Sequence, residues 1–265
     1  MSALASVLQR DRLIVGCGLG LAAGWAWYHL FSEAHRMEVS GVCEGMAMKM
    51  SAPDLASWPL VSVLPLFVMW AVMMVAMMLP SAAPMILTFA AVTRNRRQRD
   101  RPYVPVAVFA AGYLVVWCLF SAIAALAQWA LHRAALLSPA MTSTSAVFGA
   151  FALIAAGVFQ FTPLKQACLR HCRTPLEFIM TRWREGWRGA FGMGLQHGAF
   201  CAGCCWVLML LLFVGGVMNM LWIAALTIFV AVEKVAPRGR GVSVVSGILL
   251  SLWGAWMLAR NLSIG

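Results

Sequence analysis

The sequence predicts an all-α membrane protein: a polytopic bundle of about seven transmembrane helices, with its N-terminus inside and its C-terminus outside. Three observations carry that expectation. Of 265 residues, 62% are apolar and only 11% charged, where an ordinary soluble domain is about half apolar and about a quarter charged. A 28.8 kDa globule of mean hydropathy +0.83 has too little interior to bury so much apolar surface, which excludes the soluble-enzyme folds. Basic residues are also unevenly placed. With the N-terminus inside, sixteen of the 20 Lys and Arg fall in inner segments and only Arg36, Lys49, Arg133 and Arg260 fall outside, the positive-inside pattern. The net charge of +11 is therefore a consequence of topology, and no nucleic-acid partner is expected.

Seven apolar stretches approach or exceed the length needed to cross about 30 Å of hydrocarbon. They run over 13–31, 60–92, 103–131, 146–163, 190–217, 219–236 and 242–260. The first follows Arg10 and Arg12 and ends in Trp25, Trp27, Tyr28 and His29. No A-x-A cleavage signal follows, so it reads as an uncleaved helix with an aromatic belt rather than a signal peptide. The second holds Pro80 and Pro84, which predict a kink or break near its inner end. An outer Met-rich loop is expected over 32–58, and inner basic loops over 93–102 and 164–189. No internal repeat or low-complexity linker divides the chain, so residues 1–265 read as a single transmembrane helical domain. Of the eight cysteines, only Cys43 lies in an outer loop, so no disulfide between outer loops is available.

The chemistry-bearing residues concentrate in four places. In the fifth stretch, His197, Cys201, Cys204 and Cys205 fall at about 0°, 40°, −20° and 80° around a helix, within one arc. Thiolates and imidazole ligate copper, zinc or iron, while small cysteines beside the Gly194–Gly198 pair also suit tight helix contacts. In the second stretch, Met69, Met73 and Met77 stack at i, i+4 and i+8, with Met74 and Met78 as a second row. Thioethers bind Cu(I) without deprotonation, and methionine also serves as adaptable core filling. Met73 lies about 20 Å from the outer end of its span and Cys204 and Cys205 about 21–23 Å from the inner end of theirs at about 1.5 Å per residue. The two groups are therefore expected to meet near mid-membrane.

Glu233, followed by Lys234, is the one carboxylate inside a predicted span. It suits a metal ligand or proton relay, or else an ion pair with Lys234. In the outer loop, Met46, Met48 and Met50 share one side of an extended strand and suit capture of Cu(I), against a Met-rich loop of no special role. Cys168, His171 and Cys172 form a weaker inner cluster, opposed by Arg170 and Arg173. The remaining inner cations, Lys165 among them, read as topology determinants and headgroup contacts. No Walker A, G-x-S-x-G, H-E-x-x-H or dinucleotide fingerprint occurs, which argues against ATP-driven transport by this chain alone.

Five motifs in order carry a resemblance. They are Met74-Val-Ala-Met77-Met78-Leu-Pro80 with Pro84, Pro163-Leu-Lys165-Gln-Ala-Cys168, Cys172-Arg173-Thr-Pro175, His197-Gly198-x-x-Cys201-x-Gly203-Cys204-Cys205-Trp206, and Glu233-Lys234. Over about residues 60–260 the chain resembles the bacterial family of predicted metal-binding integral membrane proteins, otherwise a domain of unknown function. The resemblance implies metal binding in a bacterial cytoplasmic (inner) membrane, with Met77, Met78, His197, Cys201, Cys204, Cys205 and Glu233 at the site. The Met46–Met50 loop lies outside it.

The residues together lead to one expectation, a soft transition metal, copper before zinc or iron, bound for transport or delivery. Its partners are then membrane lipid and a metallochaperone or recipient metalloprotein complex. Two other classes fit less of the pattern: a membrane oxidoreductase using an intramembrane metal or thiol pair on a quinone or lipid, and a structural subunit of a larger membrane complex.

Overall fold

The computed structural model describes residues 2–47, 62–97, 105–133, 146–236 and 239–264, and within them the chain is helical with no strand. Ten helices follow in order: α1 (Ser2–Ala47), α2 (Val63–Arg97), α3 (Val106–Arg133), α4 (Ala146–Phe159), α5 (Pro163–Arg173), α6 (Pro175–Arg182), α7 (Gly186–Leu210), α8 (Leu212–Gly215), α9 (Met220–Val235) and α10 (Gly239–Ile264).

Among the described residues, five segments are long and apolar enough to cross a membrane. They are Leu13–Arg36, Val63–Arg96, Val106–Leu131, Gly186–Gly215 and Arg240–Asn261. The expected fourth stretch is shorter than predicted, and qualifies only when α4 and α5 are taken together across a 65° bend. The expected sixth, α9, has 16 residues, short of the roughly 20 that a spanning helix needs. The outward faces are apolar, with Leu21 75%, Ile123 67% and Leu221 85% exposed.

Three departures from the sequence reading have local causes. Pro80 and Pro84 lie inside α2 without breaking it. Proline at position 80 cannot bond the Ala76 carbonyl, and the Trp27 indole N–H of α1 donates to that oxygen at 3.2 Å, re-satisfying the freed group as apolar surroundings require. α1 continues to Ala47, across the first part of the expected outer loop. The expected inner loop 164–189 is mostly the helices α5 and α6. Thr162 caps α5, its Oγ1 accepting from the Lys165 N–H at 3.3 Å, with Pro163 at the first turn.

Helix α7 sits at the centre, packed along α3 and against α5, while α1 and α3 flank α2, and α4 pairs with α10. The α3–α7 seam depends on missing side chains. A Cβ on Gly194 would fall inside the contact shell of the Phe109 carbonyl, and one on Gly112 would meet the Phe191 carbonyl. Glycine lets these backbones touch, as small residues do between membrane helices. Gly194→Ala is accordingly expected to destabilise the fold by about 1–3 kcal/mol. Gly192→Ala, where nothing lies within 4 Å of the new Cβ, should be neutral or gain up to about 1 kcal/mol. Chemical unfolding of the detergent-solubilised protein compares the two, and equal stabilities would refute the seam's role.

Candidate metal centre

The methionine row of α2 faces inward. Met73, Met74, Met77 and Met78 are all fully buried, because the i, i+4 spacing turns one stripe of α2 toward its neighbours. On α7, His197, Cys201, Cys204 and Cys205 are likewise buried. The two elements meet where the Cys205 Sγ lies 4.0 Å from the Met78 Sδ. Both neighbouring thiols donate back to one carbonyl, Cys205 to Cys201 O at 2.9 Å and Cys204 to the same oxygen at 3.1 Å. Their hydrogens are thus held by the helix.

Cys201 has a different, polar environment. The Lys234 Nζ of α9 donates to its Sγ at 2.9 Å and to the Ser81 Oγ of α2 at 3.0 Å. The Tyr113 hydroxyl of α3 donates to the Met78 carbonyl at 3.0 Å and stands 3.2 Å from the Cys201 Sγ. Helices α3, α7 and α9 therefore meet at this thiol, and Lys234 links it to α2. His197 is 2% exposed, and neither ring nitrogen has a hydrogen-bond partner. Its ring stacks on Phe109 and Tyr113 and tilts against Phe178.

Glu233 is not joined to the sulfurs. Its carboxylate accepts from the Lys165 Nζ of α5 at 2.8 Å and from the Ser243 Oγ of α10 at 2.6 Å. The expected alternative of a Glu233–Lys234 pair is thus corrected: the two adjacent side chains serve different partners. Lys165, read from the sequence as a topology determinant, is fully buried because it answers this carboxylate. Met73 and Met77 line the core without a described contact to the thiols. Met46 lies in the last helical turn of α1 rather than in an extended strand, and its side chain, like Met48 and Met50 altogether, is outside the described residues.

Cys172, placed by the sequence in an inner loop, is on α5, partly buried and packed against the core. Its signal was present, since Cys168 and Cys172 recur at i, i+4 and share a helix face. Among the described residues, no three or more His, Cys, Asp or Glu side chains form a group arranged to hold a metal ion. The thioether of Met78 and the thiols beside it are soft donors, a class that favours Cu(I) over hard cations.

The PpoB2 family, described as copper chaperone, matches residues 67–257, and the chain belongs to that family. The match covers every described site residue named above except Met46. No curated protein and no solved structure matches the chain.

Removing one partner of a buried ion pair leaves a bare charge. With Lys165 and Glu233 at 0% and 2% side-chain exposure, Lys165→Met is expected to destabilise the protein by about 3–5 kcal/mol. The double variant Lys165→Met/Glu233→Gln, which carries no orphaned charge, should recover much of that loss. Thermal unfolding in detergent measures both, and a double variant no more stable than the single would refute the account.

Proposed function

We propose that this chain is a multi-pass helical protein of the bacterial cytoplasmic membrane that binds Cu(I) at an intramembrane sulfur site and passes it to a recipient protein. The observation that carries the reading is the contact between Cys205 and Met78. A soft ion held here would be met by the Cys205 sulfur and the Met78 thioether, which stand 4.0 Å apart, with Cys204 and Cys201 on the same helix as the candidates for a third donor. The family description, copper chaperone, supports the choice of metal, and the long apolar helices support the membrane setting.

His197 is the reserve donor. An imidazole with two unpartnered nitrogens in an apolar box bears an unmet cost, which a bond to a metal ion would relieve. Glu233 acts at one remove in this reading: through Lys165 and Ser243 it holds α9, and α9 holds Lys234 against Cys201. The positive-inside asymmetry supports an inner N-terminus, and the whole chain acts as one helical domain. Met46, Met48 and Met50 would collect copper on the outer side. Zinc and iron share part of the donor set and are the competing cargoes.

Elemental analysis of purified protein after exposure to Cu(I) tests this. Stoichiometric copper is expected in the wild type. Cys205→Ser and Met78→Leu should each weaken binding by at least about tenfold, the least that losing even an outer partner of a metal site costs. Absence of copper from the wild type, or full retention in both variants, would sink the reading.

A further inference from the structure

We propose that an open cavity between α5, α9 and α10 binds the phosphate of an anionic phospholipid, whose acyl chains lie along the exposed face of α9. The cavity has a volume of about 420 Å³, and Arg170, Arg173, Lys234 and Arg240 all line it, together with Gln166. No Asp or Glu among the described residues lines it. Four cations around one concavity, with no acid among them, favour an anion, and guanidinium forks match phosphate oxygens in particular. The inference needs the membrane setting proposed above but no metal.

The buried member of the set carries the most weight. Lys234 is only 6% exposed, and its ammonium donates to the Cys201 Sγ and the Ser81 hydroxyl. Neither acceptor is a carboxylate, and the adjacent Glu233 is engaged by Lys165 and Ser243 instead. A cation held this deep is costly without an opposite charge. An anion in the cavity that Lys234 lines supplies one. The guanidiniums are placed by their neighbours: Arg173 donates to the Ala236 carbonyl just past the end of α9. Arg170 meets Glu177 at 3.4 Å, with both side chains more than half exposed. Such an exposed pair is worth little and yields to a phosphate.

A free phosphate would need only the cations, but the face of α9 beside them suits a lipid. Leu221, Ile228, Val232 and Val235 are all exposed, and their spacing places them within about 60° of one another around the helix. The stripe runs about 21 Å along α9 and ends at Val235, which lines the cavity. Half of the hydrocarbon core is about 15 Å thick, so the stripe is long enough for an acyl chain whose headgroup sits among the arginines. The basic segments collect at this end of the bundle, which the charge asymmetry assigns to the inner leaflet. Basic pockets between helices on that side bind anionic headgroups.

The experiment uses the full chain, purified free of copper in a neutral detergent and stripped of lipid. Phosphatidylglycerol and phosphatidylcholine of the same chain length are titrated, with bound lipid read by native mass spectrometry, and inorganic phosphate is added as a competitor. Arg170→Gln and Arg240→Gln are each expected to weaken phosphatidylglycerol about fivefold, the scale of one cation near a lipid surface. Both side chains are exposed, so folding does not depend on them. Arg188→Gln removes an inner arginine that lies over the Trp187 ring and does not line this cavity, and it should leave the affinity unchanged. Phosphatidylcholine, with no net charge, should bind at least about fivefold more weakly. Equal affinity for the two lipids, unchanged binding in both cavity variants, or an equal loss in Arg188→Gln would overturn the site. Displacement of the lipid by inorganic phosphate at equal concentration would also overturn it, assigning the cavity to a free anion. No copper is present, so a failure here leaves the sulfur site standing, and a protein that never takes copper leaves this site standing.

Discussion

Two lysine ammonium groups enclosed by apolar helices set the terms for this fold. A buried cation is tolerated only where acceptors meet it, and here each one pulls helices together. Lys165 of α5 binds Glu233 of α9, which also accepts from Ser243 of α10. Lys234 of α9 donates to Ser81 of α2 and Cys201 of α7. The short helix α9 thus carries both an acceptor and a donor at adjacent positions and ties α5 and α10 on one side to α2 and α7 on the other. Without α9 in place, Lys165 and Cys201 would each lose a partner, and the two sulfur-bearing helices would lose the clamp that spans them. The glycine seam between α3 and α7 acts with this clamp, since it sets the Tyr113 hydroxyl of α3 3.2 Å from the Cys201 Sγ of α7.

The same arrangement divides the sulfurs by role. Cys201 is engaged by an ammonium and a phenol, while Cys204 and Cys205 give their hydrogens to a backbone carbonyl. Methionine completes the soft surface because a thioether has no proton to lose and no strong hydrogen bond to make. A row of such residues can be buried in an apolar bundle without the penalty that carboxylates or imidazoles carry. That is why α2 can present five buried methionines, Met85 with the four of the row, where an equal number of hard ligands would need partners.

Much of this was legible in the sequence, and the failures share one cause. Apolar length gave the helices, and the i, i+4 recurrence of Met73 with Met77 and of Cys201 with Cys205 gave their buried faces, because periodicity is a property of one element. The pairing of Lys165 with Glu233 joins residues 68 positions apart, and no pattern within either segment encodes it. Lys165 looked like one more inner cation because it lies just past an apolar stretch, in a segment that goes on to Arg170 and Arg173. Cys172 was set in a loop for a related reason: α5 has 11 residues and a low apolar content, so length and hydropathy gave no reason to lay it against α7. The span count suffered likewise. α9 is apolar but short, and its ends are fixed by the Asn219 cap, whose Oδ1 accepts from the Trp222 N–H, and by the Arg173 bond to Ala236, neither of which hydropathy reads.

The position of Lys234 bears on where a cation would rest. An ammonium 2.9 Å from the Cys201 Sγ repels a second positive charge placed on that sulfur, and the repulsion is strong where water is excluded. A cation placed at Cys201 would have to displace that bond and its charge assistance. The same ammonium is bonded to Ser81, whose hydroxyl in turn donates to the Met78 carbonyl, so the positive charge is anchored between the thiol of α7 and the methionine row of α2. The polar contacts that tie α9 to both helices therefore also set the sulfurs apart: Cys201 has a cation as its neighbour, while Cys204 and Cys205 give their hydrogens to a backbone carbonyl.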